Sequence, residues 1–97
     1  MWILTATEDS PASLTFRLSE GSIRTIGRAP RADFIVDAAL VSRLHCRLTA
    51  KSNDSLELED LDSTNGTFVN SRKVTRAELR VGDEIGVGRV KLRVGRN

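Results

Sequence analysis

The sequence predicts an all-β protein, built as a sandwich of antiparallel sheets. Apolar and polar residues alternate with a period of two over much of the chain, which is typical of strands with one buried face. Turn-forming residues separate these stretches at short intervals, so the strands are short and numerous. The length of 97 residues is enough for one domain with its own hydrophobic core.

The clearest alternation occurs in four segments. They comprise residues 14–18, 46–50, 56–59 and 90–94. In the second segment, Cys46, Leu48 and Ala50 lie on one side of the predicted strand, and Arg47 and Thr49 lie on the other. Each segment is therefore predicted to present an apolar face to the core and a polar face to solvent.

Shorter apolar stretches predict further strands. These are residues 2–6, 23–26, 34–36, 67–69 and 84–87. One segment indicates a helix instead, because residues 75–78 have the form of a capping box and Gly82 suits a helix C-terminus. We expect a single helical turn there, which leaves the fold class unchanged.

The chain is predicted to be a single domain over residues 1–97, either excised from a longer protein or a very small protein in itself. No apolar run approaches the ~20 residues of a membrane-spanning helix, and no secretory signal opens the chain. Cys46 is the only cysteine, which excludes an internal disulfide and fits a reducing compartment. We therefore expect an intracellular, monomeric domain without a membrane partner.

The charge pattern argues against nucleic acid as a partner. The formal net charge is +2, from 15 basic and 13 acidic residues that are interspersed along the chain. A nucleic-acid surface requires a basic stripe with stacking aromatic residues, and this chain has one tryptophan, three phenylalanines and no tyrosine. Cysteine and histidine also lack the spacing of a metal site. No nucleic acid, metal or other cofactor is expected.

Three polar motifs follow strand candidates, and each is predicted to lie in a loop at the rim of the sandwich. They are Gly27-Arg28, Ser42-Arg43-Leu44-His45 and Thr64-Asn65-Gly66-Thr67. An arginine presents five donors in a rigid fork, and hydroxyl and amide groups add further hydrogen bonds, so the set suits a bound phosphate. Taken alone, Arg28 also fits a solvated surface residue, and Asn65-Gly66 fits a plain hairpin turn.

The order of these motifs resembles the forkhead-associated (FHA) domain family. The family pattern runs Gly-Arg, then Ser-x-x-His, then Asn-Gly-Thr, and then Leu-x-x-Gly-Asp-x-Ile. Every element is present here in that order, the last one as residues 79–85. The resemblance extends from residue 14 to residue 94 and implies an antiparallel β-sandwich of about eleven short strands. It also implies that loops at one end of the sandwich bind phosphothreonine-containing segments.

The resemblance assigns roles to individual residues. Arg28 and Ser42 are expected to bind the phosphate, and Arg43 is expected to supply another contact to the phosphate or the peptide. Thr64 would bond the phosphate or line the pocket for the threonine methyl group, and Asn65 would hold the peptide main chain. Four further residues are expected to support the binding loops: Gly27, His45, Gly66 and Thr67.

Selection among phosphothreonine peptides is expected to depend on the third residue after the phosphothreonine. In the family, the loop before the Ser-x-x-His motif reads this residue, and here that loop includes Ala39, Leu40 and Val41. Leu40 favours an aliphatic residue at that position, whereas Arg43 or Arg31 would favour an acidic one. We expect the aliphatic preference.

The resemblance implies a phosphothreonine-dependent interaction module that recruits its parent protein to partners phosphorylated by a Ser/Thr kinase. An alternative is an FHA-like scaffold that binds a partner independently of phosphate through a sheet face. The run Trp2-Ile3-Leu4 is the best candidate for such a face, although it fits an inner strand better.

A small phosphatase or nuclease is a third interpretation, and the sequence disfavours it. His45 and Cys46 are strand neighbours that point to opposite faces, so they do not form a catalytic pair. The His45 imidazole is instead predicted to hydrogen-bond loop backbone and to hold Ser42 in place. Asp60 and Asp62 suggest a metal site, but Asp62 is better explained as a cap of the turn that follows it. We expect no enzyme activity.

Overall fold

The computed structural model describes residues 1–8, 10 and 13–97 of the chain. These residues form eleven strands in two sheets, which confirms the predicted all-β sandwich. The strands are β1 (Trp2–Ala6), β2 (Thr15–Leu18), β3 (Ile23–Gly27), β4 (Phe34–Ile35), β5 (Cys46–Ala50), β6 (Leu56–Asp60), β7 (Thr67–Val69), β8 (Arg72–Val74), β9 (Arg76–Leu79), β10 (Glu84–Val87) and β11 (Val90–Arg96). The residues described include no helix that is long and apolar enough to cross a membrane.

The two sheets differ in size and share one core. The strand order is β2-β1-β11-β10-β7-β8 in the six-stranded sheet and β4-β3-β5-β6-β9 in the five-stranded sheet. Strand pairs in both sheets are antiparallel, apart from β3 and β4, which run parallel through the partners Ile26 and Phe34. The antiparallel architecture explains why alternation is so regular in the sequence, since each strand has one face on the core and one in solvent.

The core lies between the sheets and contains the apolar positions of the alternating segments. In β5, Cys46, Leu48 and Ala50 are fully buried, while Arg47 and Thr49 are only partly covered. The buried positions of β6 and β11 follow the same pattern: Leu56, Leu58, Val90, Leu92 and Val94. The predicted alternation is therefore confirmed, and it determines strand register because a shift of one residue would move the apolar set to solvent.

β1 is an inner strand of the six-stranded sheet, because it pairs with β2 on one side and β11 on the other. Trp2 and Leu4 are buried, and Ile3 is half-buried. The Trp2 indole N–H donates to the Ser52 carbonyl oxygen at 2.9 Å, and the Arg96 guanidinium carbon lies 5.6 Å from the centre of the Trp2 ring. This run therefore holds the sandwich together and does not form an exposed docking surface.

The helix predicted after Thr75 is wrong, and the segment forms β9 instead. β9 pairs with β6 in antiparallel register, and its Leu79 side chain is 2% exposed. A single helical turn is unfavourable on its own, whereas the strand gains a ladder of hydrogen bonds and buries Leu79. Gly82 has a φ of 98° and lies in the turn between β9 and β10, where the Asp83 N–H donates to the Arg80 carbonyl oxygen at 3.0 Å.

The sequence pattern did not predict β8, because two of its three residues are charged and read as a surface loop. β7 and β8 are joined by Asn70 and Ser71, whose φ values are 51° and 70°. Positive φ at both positions is the signature of a type I′ turn, which suits the twist of a two-residue hairpin. The hairpin places Lys73 of β8 directly opposite Phe68 of β7.

The loops after β3, β4, β6 and β10 meet at one end of the sandwich. The Arg28 N–H donates to the Ser42 carbonyl oxygen at 2.9 Å, which joins the first two loops. The Thr64 N–H donates to Ser42 Oγ at 3.0 Å, which joins the loop after β6 to the loop after β4. The loop after β10 packs closely against the loop after β4, since a Cβ at Gly88 would lie 2.9 Å from the Ala39 carbonyl oxygen. All three polar motifs of the sequence therefore lie at this end.

Candidate functional site

An open groove lies among these loops. It is lined by Arg28, Ala39, Leu40, Val41, Ser42, Arg43, Leu44, Asp62, Thr64 and Asn65. The structure thus brings together the five residues predicted to contact a phosphopeptide and the three predicted to form the specificity loop. The supporting residues His45, Gly66 and Thr67 are buried beneath this surface.

Arg28 directly follows β3, and one nitrogen of its guanidinium group is hydrogen-bonded to the neighbouring loop. Its Nε–H donates to the Val41 carbonyl oxygen at 3.0 Å, and its backbone N–H donates to Ser42. The side chain is exposed, and it forms no ion pair with a carboxylate in the described part of the chain. The two terminal nitrogens therefore remain available to an anion, and the fork is oriented before any ligand arrives.

Gly27 allows the close approach of β3 to the next loop. A Cβ at Gly27 would lie 2.0 Å from the Arg43 carbonyl oxygen and 2.7 Å from its carbonyl carbon, so any other residue would push the two segments apart. The Ala29 N–H donates to the same Arg43 oxygen at 3.2 Å. The glycine therefore sets the distance between Arg28 and the Ser42 loop.

Ser42 connects two loops through its hydroxyl group. Ser42 Oγ accepts the Thr64 N–H at 3.0 Å, which leaves the hydroxyl proton free to donate to a ligand in the groove. The neighbouring Arg43 side chain is exposed and adds a second cation to the same surface.

His45 lies beneath the groove and is fully buried. Its Nδ1 accepts the Ser42 N–H at 3.0 Å, so the ring proton is on Nε2, which donates to the Gly66 carbonyl oxygen at 2.8 Å. These are backbone hydrogen bonds of the kind expected from the sequence. One imidazole thereby connects the Ser42 loop to the Asn65-Gly66 turn.

Asp60, at the end of β6, organises the loop that carries Thr64 and Asn65. Its Oδ1 accepts the Ser63 hydroxyl at 2.6 Å and the Thr67 hydroxyl at 2.7 Å, and its Oδ2 accepts the Ser63 N–H at 3.2 Å. Ser63 Oγ in turn accepts the Gly66 N–H at 2.9 Å. This carboxylate holds both ends of the loop at once.

The predicted cap at Asp62 is wrong, because Asp60 makes these hydrogen bonds. Asp62 is exposed and has a φ of 59°. The spacing Asp-x-x-Ser from Asp60 to Ser63 could have indicated that Asp60 is the cap, since an aspartate often accepts the backbone N–H of a residue just after it in a turn. Partial burial raises the pKa of the Asp60 carboxyl, but the hydrogen bonds from Ser63 and Thr67 outweigh it, and the net pKa is below the ordinary value.

The Asp60→Asn variant is expected to be about 1–2 kcal/mol less stable than wild type at neutral pH, because asparagine cannot accept all three hydrogen bonds. The folded-state pKa is lowered, so the ionised carboxylate stabilises the fold above the unfolded-state pKa and loses this contribution as the pH falls through the folded-state value. The stability gap between the two proteins should therefore narrow below about pH 4. Urea unfolding of both proteins at neutral and acidic pH measures the difference in their free energies of unfolding. An equal difference at both pH values would contradict the role of the ionised Asp60 carboxylate.

Asn65 connects its turn to the loop that contains Leu40. Its Nδ2 donates to the Leu40 carbonyl oxygen at 3.1 Å, which leaves the Asn65 side-chain oxygen free to accept a hydrogen bond. Leu40 has a φ of 71° and its side chain is 49% exposed. A left-handed leucine is strained, and strain of this kind persists where the surrounding contacts hold it, often at binding sites.

Lys73 is a residue at the edge of the site that sequence reasoning missed. A Cβ at Gly66 would lie 2.7 Å from Lys73 Cε, so the lysine stem passes alongside the Asn65-Gly66 turn. Lys73 lies on β8, which itself was not predicted, and no local sequence signal connects it to the turn.

Cys46 is the one thiol of the chain, and it lies in the core. The pKa of the Cys46 thiol is raised to about 12, mainly by burial and further by the charge of Asp60, against the lowering effect of a hydrogen bond with Thr67. A buried thiol with this pKa stays protonated and is a poor nucleophile. Within residues 1–8, 10 and 13–97, no cluster of three or more histidine, cysteine, aspartate or glutamate side chains is arranged to hold a metal ion.

Cys46 is expected to resist thiol reagents in the folded protein. At about pH 8, a thiol-specific chromogenic reagent should leave the native protein unmodified, because the thiol is both protonated and fully buried. The same protein in denaturant should react with one equivalent of reagent, which serves as the control. Rapid labelling under native conditions would contradict the buried position.

Comparison with known proteins identifies the family. The sequence model described as FHA domain matches residues 24–88. The ABC transporter ATP-binding/permease protein Rv1747 of Mycobacterium tuberculosis is 39% identical over 82 residues, which are 84% of this chain and 9% of that protein. The glycogen accumulation regulator GarA of Mycobacterium tuberculosis is 36% identical over 75 residues, which are 77% of this chain and 46% of GarA.

A solved structure has the same fold over almost the whole chain. It comes from a structural and functional analysis of phosphothreonine-dependent FHA domain interactions, and it superposes with a TM-score of 0.87 and 32% identity over 99% of this chain and 96% of that one. The chain belongs to the FHA domain family, whose members are interaction modules. It spans less than half the length of the two curated relatives.

Proposed function

We propose that this domain binds phosphothreonine-containing segments and recruits its parent protein to partners phosphorylated by a Ser/Thr kinase. The observation that carries the proposal is the groove, in which five polar residues converge: Arg28, Ser42, Arg43, Thr64 and Asn65. The similar solved structure belongs to work on phosphothreonine-dependent interactions of FHA domains, which supports the same ligand class here.

Most of the affinity comes from charge-assisted hydrogen bonds to the phosphate. A phosphothreonine carries about −1.5 to −2 charge and three acceptor oxygens at pH 7. Arg28 supplies its two free nitrogens, Ser42 supplies its hydroxyl proton, and Arg43 supplies a second cation. Two or three such bonds contribute about 1.5–3 kcal/mol each, and together with the contacts of the peptide around the phosphate we expect micromolar affinity, about −8 kcal/mol. Binding of this strength is reversible and suits signalling.

The peptide around the phosphate is held by the third loop and by the loop before Ser42. Asn65 uses its free side-chain oxygen to accept a main-chain N–H of the peptide, and Thr64 bonds the phosphate or lines the pocket for the threonine methyl group. Leu40 offers an exposed apolar side chain on the groove wall. We infer that it favours an aliphatic third residue after the phosphothreonine, and a phosphopeptide library dominated by acidic residues at that position would contradict this.

We also infer that residues 1–97 act as one monomeric binding domain inside the cell, without enzyme activity and without nucleic acid or membrane partners. A single core cluster joins the two sheets, and the net charge of +2 is low for a nucleic-acid-binding surface. Light scattering coupled to size-exclusion chromatography tests the monomer, and a dimer at micromolar concentration would contradict it.

An NMR titration tests the central proposal. Labelled protein is titrated with a degenerate phosphothreonine peptide library and, as the control, with the same library unphosphorylated. We expect shifts at Arg28, Ser42, Arg43, Thr64 and Asn65 with the phosphorylated library only. Shifts of equal size with both libraries would instead favour phosphate-independent binding, and shifts with neither library would overturn phosphothreonine recognition.

A further inference from the structure

A second depression lies on the outer face of the six-stranded sheet, next to the groove. It is lined by Phe68, Ser71, Glu84, Gly86, Gly88 and Lys91. Gly88 joins the two surfaces, because a Cβ there would lie 2.9 Å from the Ala39 carbonyl oxygen and 3.1 Å from Val41 Cγ2. Ala39 and Val41 are both part of the groove wall. The depression is therefore continuous with the groove across Gly88.

Three residues that line the depression, Lys91, Gly86 and Phe68, belong to a transverse row of cross-strand partners that continues beyond it to Lys73. Lys91 of β11 lies opposite Gly86 of β10. Gly86 in turn lies opposite Phe68 of β7, and Phe68 lies opposite Lys73 of β8. Direct partners share a face, so the row presents a lysine, a bare backbone, an aromatic ring and a second lysine. Gly86 has no side chain to fill the depression, and even a Cβ there would make a tight contact with the Phe68 Cβ at 3.3 Å.

The charges of this row suit an acidic ligand. Lys73 and Lys91 are exposed, and neither forms an ion pair with any carboxylate that the structure describes. Glu84, the carboxylate in the lining, is bound by Arg93 at 2.6 Å. Phe68 is half-buried, so it offers an apolar contact in the row between Lys91, which lines the depression, and Lys73, whose stem lies beside Gly66 at the end of the row. An extended segment in which every second residue is in turn acidic and aliphatic matches this arrangement, because residues i and i+2 of an extended chain face the same surface.

We propose that the depression is a second subsite, which binds an acidic and aliphatic stretch of the same partner segment, beside its phosphothreonine. The inference rests on the proposed function, because a phosphothreonine in the groove would hold the partner chain next to Gly88. Once the phosphate is bound, the second contact is intramolecular, so two exposed ion pairs and one apolar contact add affinity that they would not supply alone. This subsite extends recognition beyond the residue that contacts Leu40.

Calorimetric titration with two peptides tests the proposal. One is a short phosphothreonine peptide, and the other is the same peptide extended on both sides by the repeat Glu-Ser-Leu-Ser, which places glutamate and leucine in turn on one face of an extended chain. We expect the extended peptide to bind the wild-type domain about tenfold more tightly, and we expect this gain to fall to about twofold in the double variant Lys73→Glu, Lys91→Glu. Both side chains are exposed, so these substitutions leave the core intact.

The matched control is the double variant Arg17→Glu, Arg24→Glu, which makes the same change in net charge at exposed positions outside the row. It should keep the full advantage of the extended peptide. An extended peptide that binds no more tightly than the short one, or whose advantage survives in the lysine variant, would overturn the subsite alone. Failure of the short phosphopeptide to bind the wild-type domain would overturn the proposed function and the subsite with it.

Discussion

Replacement of Arg28 by alanine is expected to abolish phosphopeptide binding while the domain stays folded. The Arg28 Nε–H is held by the Val41 carbonyl oxygen at 3.0 Å, so the terminal nitrogens are oriented for the phosphate. Loss of two charge-assisted bonds at about 1.5–3 kcal/mol each should weaken binding by about 100-fold or more. The side chain is exposed, so stability should change little. Calorimetric titration measures the affinity, and thermal unfolding measures the stability.

Two further variants control for charge and position. Arg24 is an exposed arginine on the same strand, and its guanidinium donates to the Ile23 carbonyl oxygen at 2.9 Å. Arg24→Ala should therefore bind like wild type. Arg28→Lys keeps the charge but loses the fork, so it should recover only part of the affinity. A folded Arg28→Ala protein with an affinity within about 1.4 kcal/mol of wild type would refute the assignment of this arginine.

Replacement of His45 by leucine is expected to lower stability and binding together. Leucine retains apolar volume, but it leaves the part-buried Ser42 N–H and the buried Gly66 carbonyl oxygen without their partner. Each unpaired group costs about 1–3 kcal/mol, so the free energy of unfolding should fall by about 3 kcal/mol. The melting temperature should then fall by about 12 °C or more. Urea and thermal unfolding measure both quantities.

Leu48→Ala separates loop positioning from stability. Leu48 is fully buried in β5, three residues beyond His45, and a leucine-to-alanine change in a core costs about 2–5 kcal/mol. Both variants are then compared at a low temperature where each remains folded. We expect Leu48→Ala to bind the phosphopeptide normally and His45→Leu to bind weakly. Equal affinities for the two folded variants would show that His45 contributes to stability alone.

The local sequence pattern was enough to predict which residues face the core and which motifs suit a bound phosphate. Alternation along β5 and β11 is a local property, because neighbouring residues in a strand always point to opposite faces. The chemistry of Arg28, Ser42 and Asn65 is likewise a property of the side chains, and their order along the chain was enough to indicate the family. For these features, the three-dimensional structure added distances to an existing expectation.

Other features depend on contacts between residues that are distant in sequence, and the local pattern did not predict them. Residues 76–79 form a strand because β6 is available to pair with them, which a local capping pattern cannot reveal. Asp60 rather than Asp62 caps the binding loop because its carboxylate also reaches Thr67. Lys73 lies beside Gly66 because a type I′ turn folds β8 back onto β7. In each case the free energy comes from partners that are remote in sequence, so propensity at the position itself does not predict the outcome.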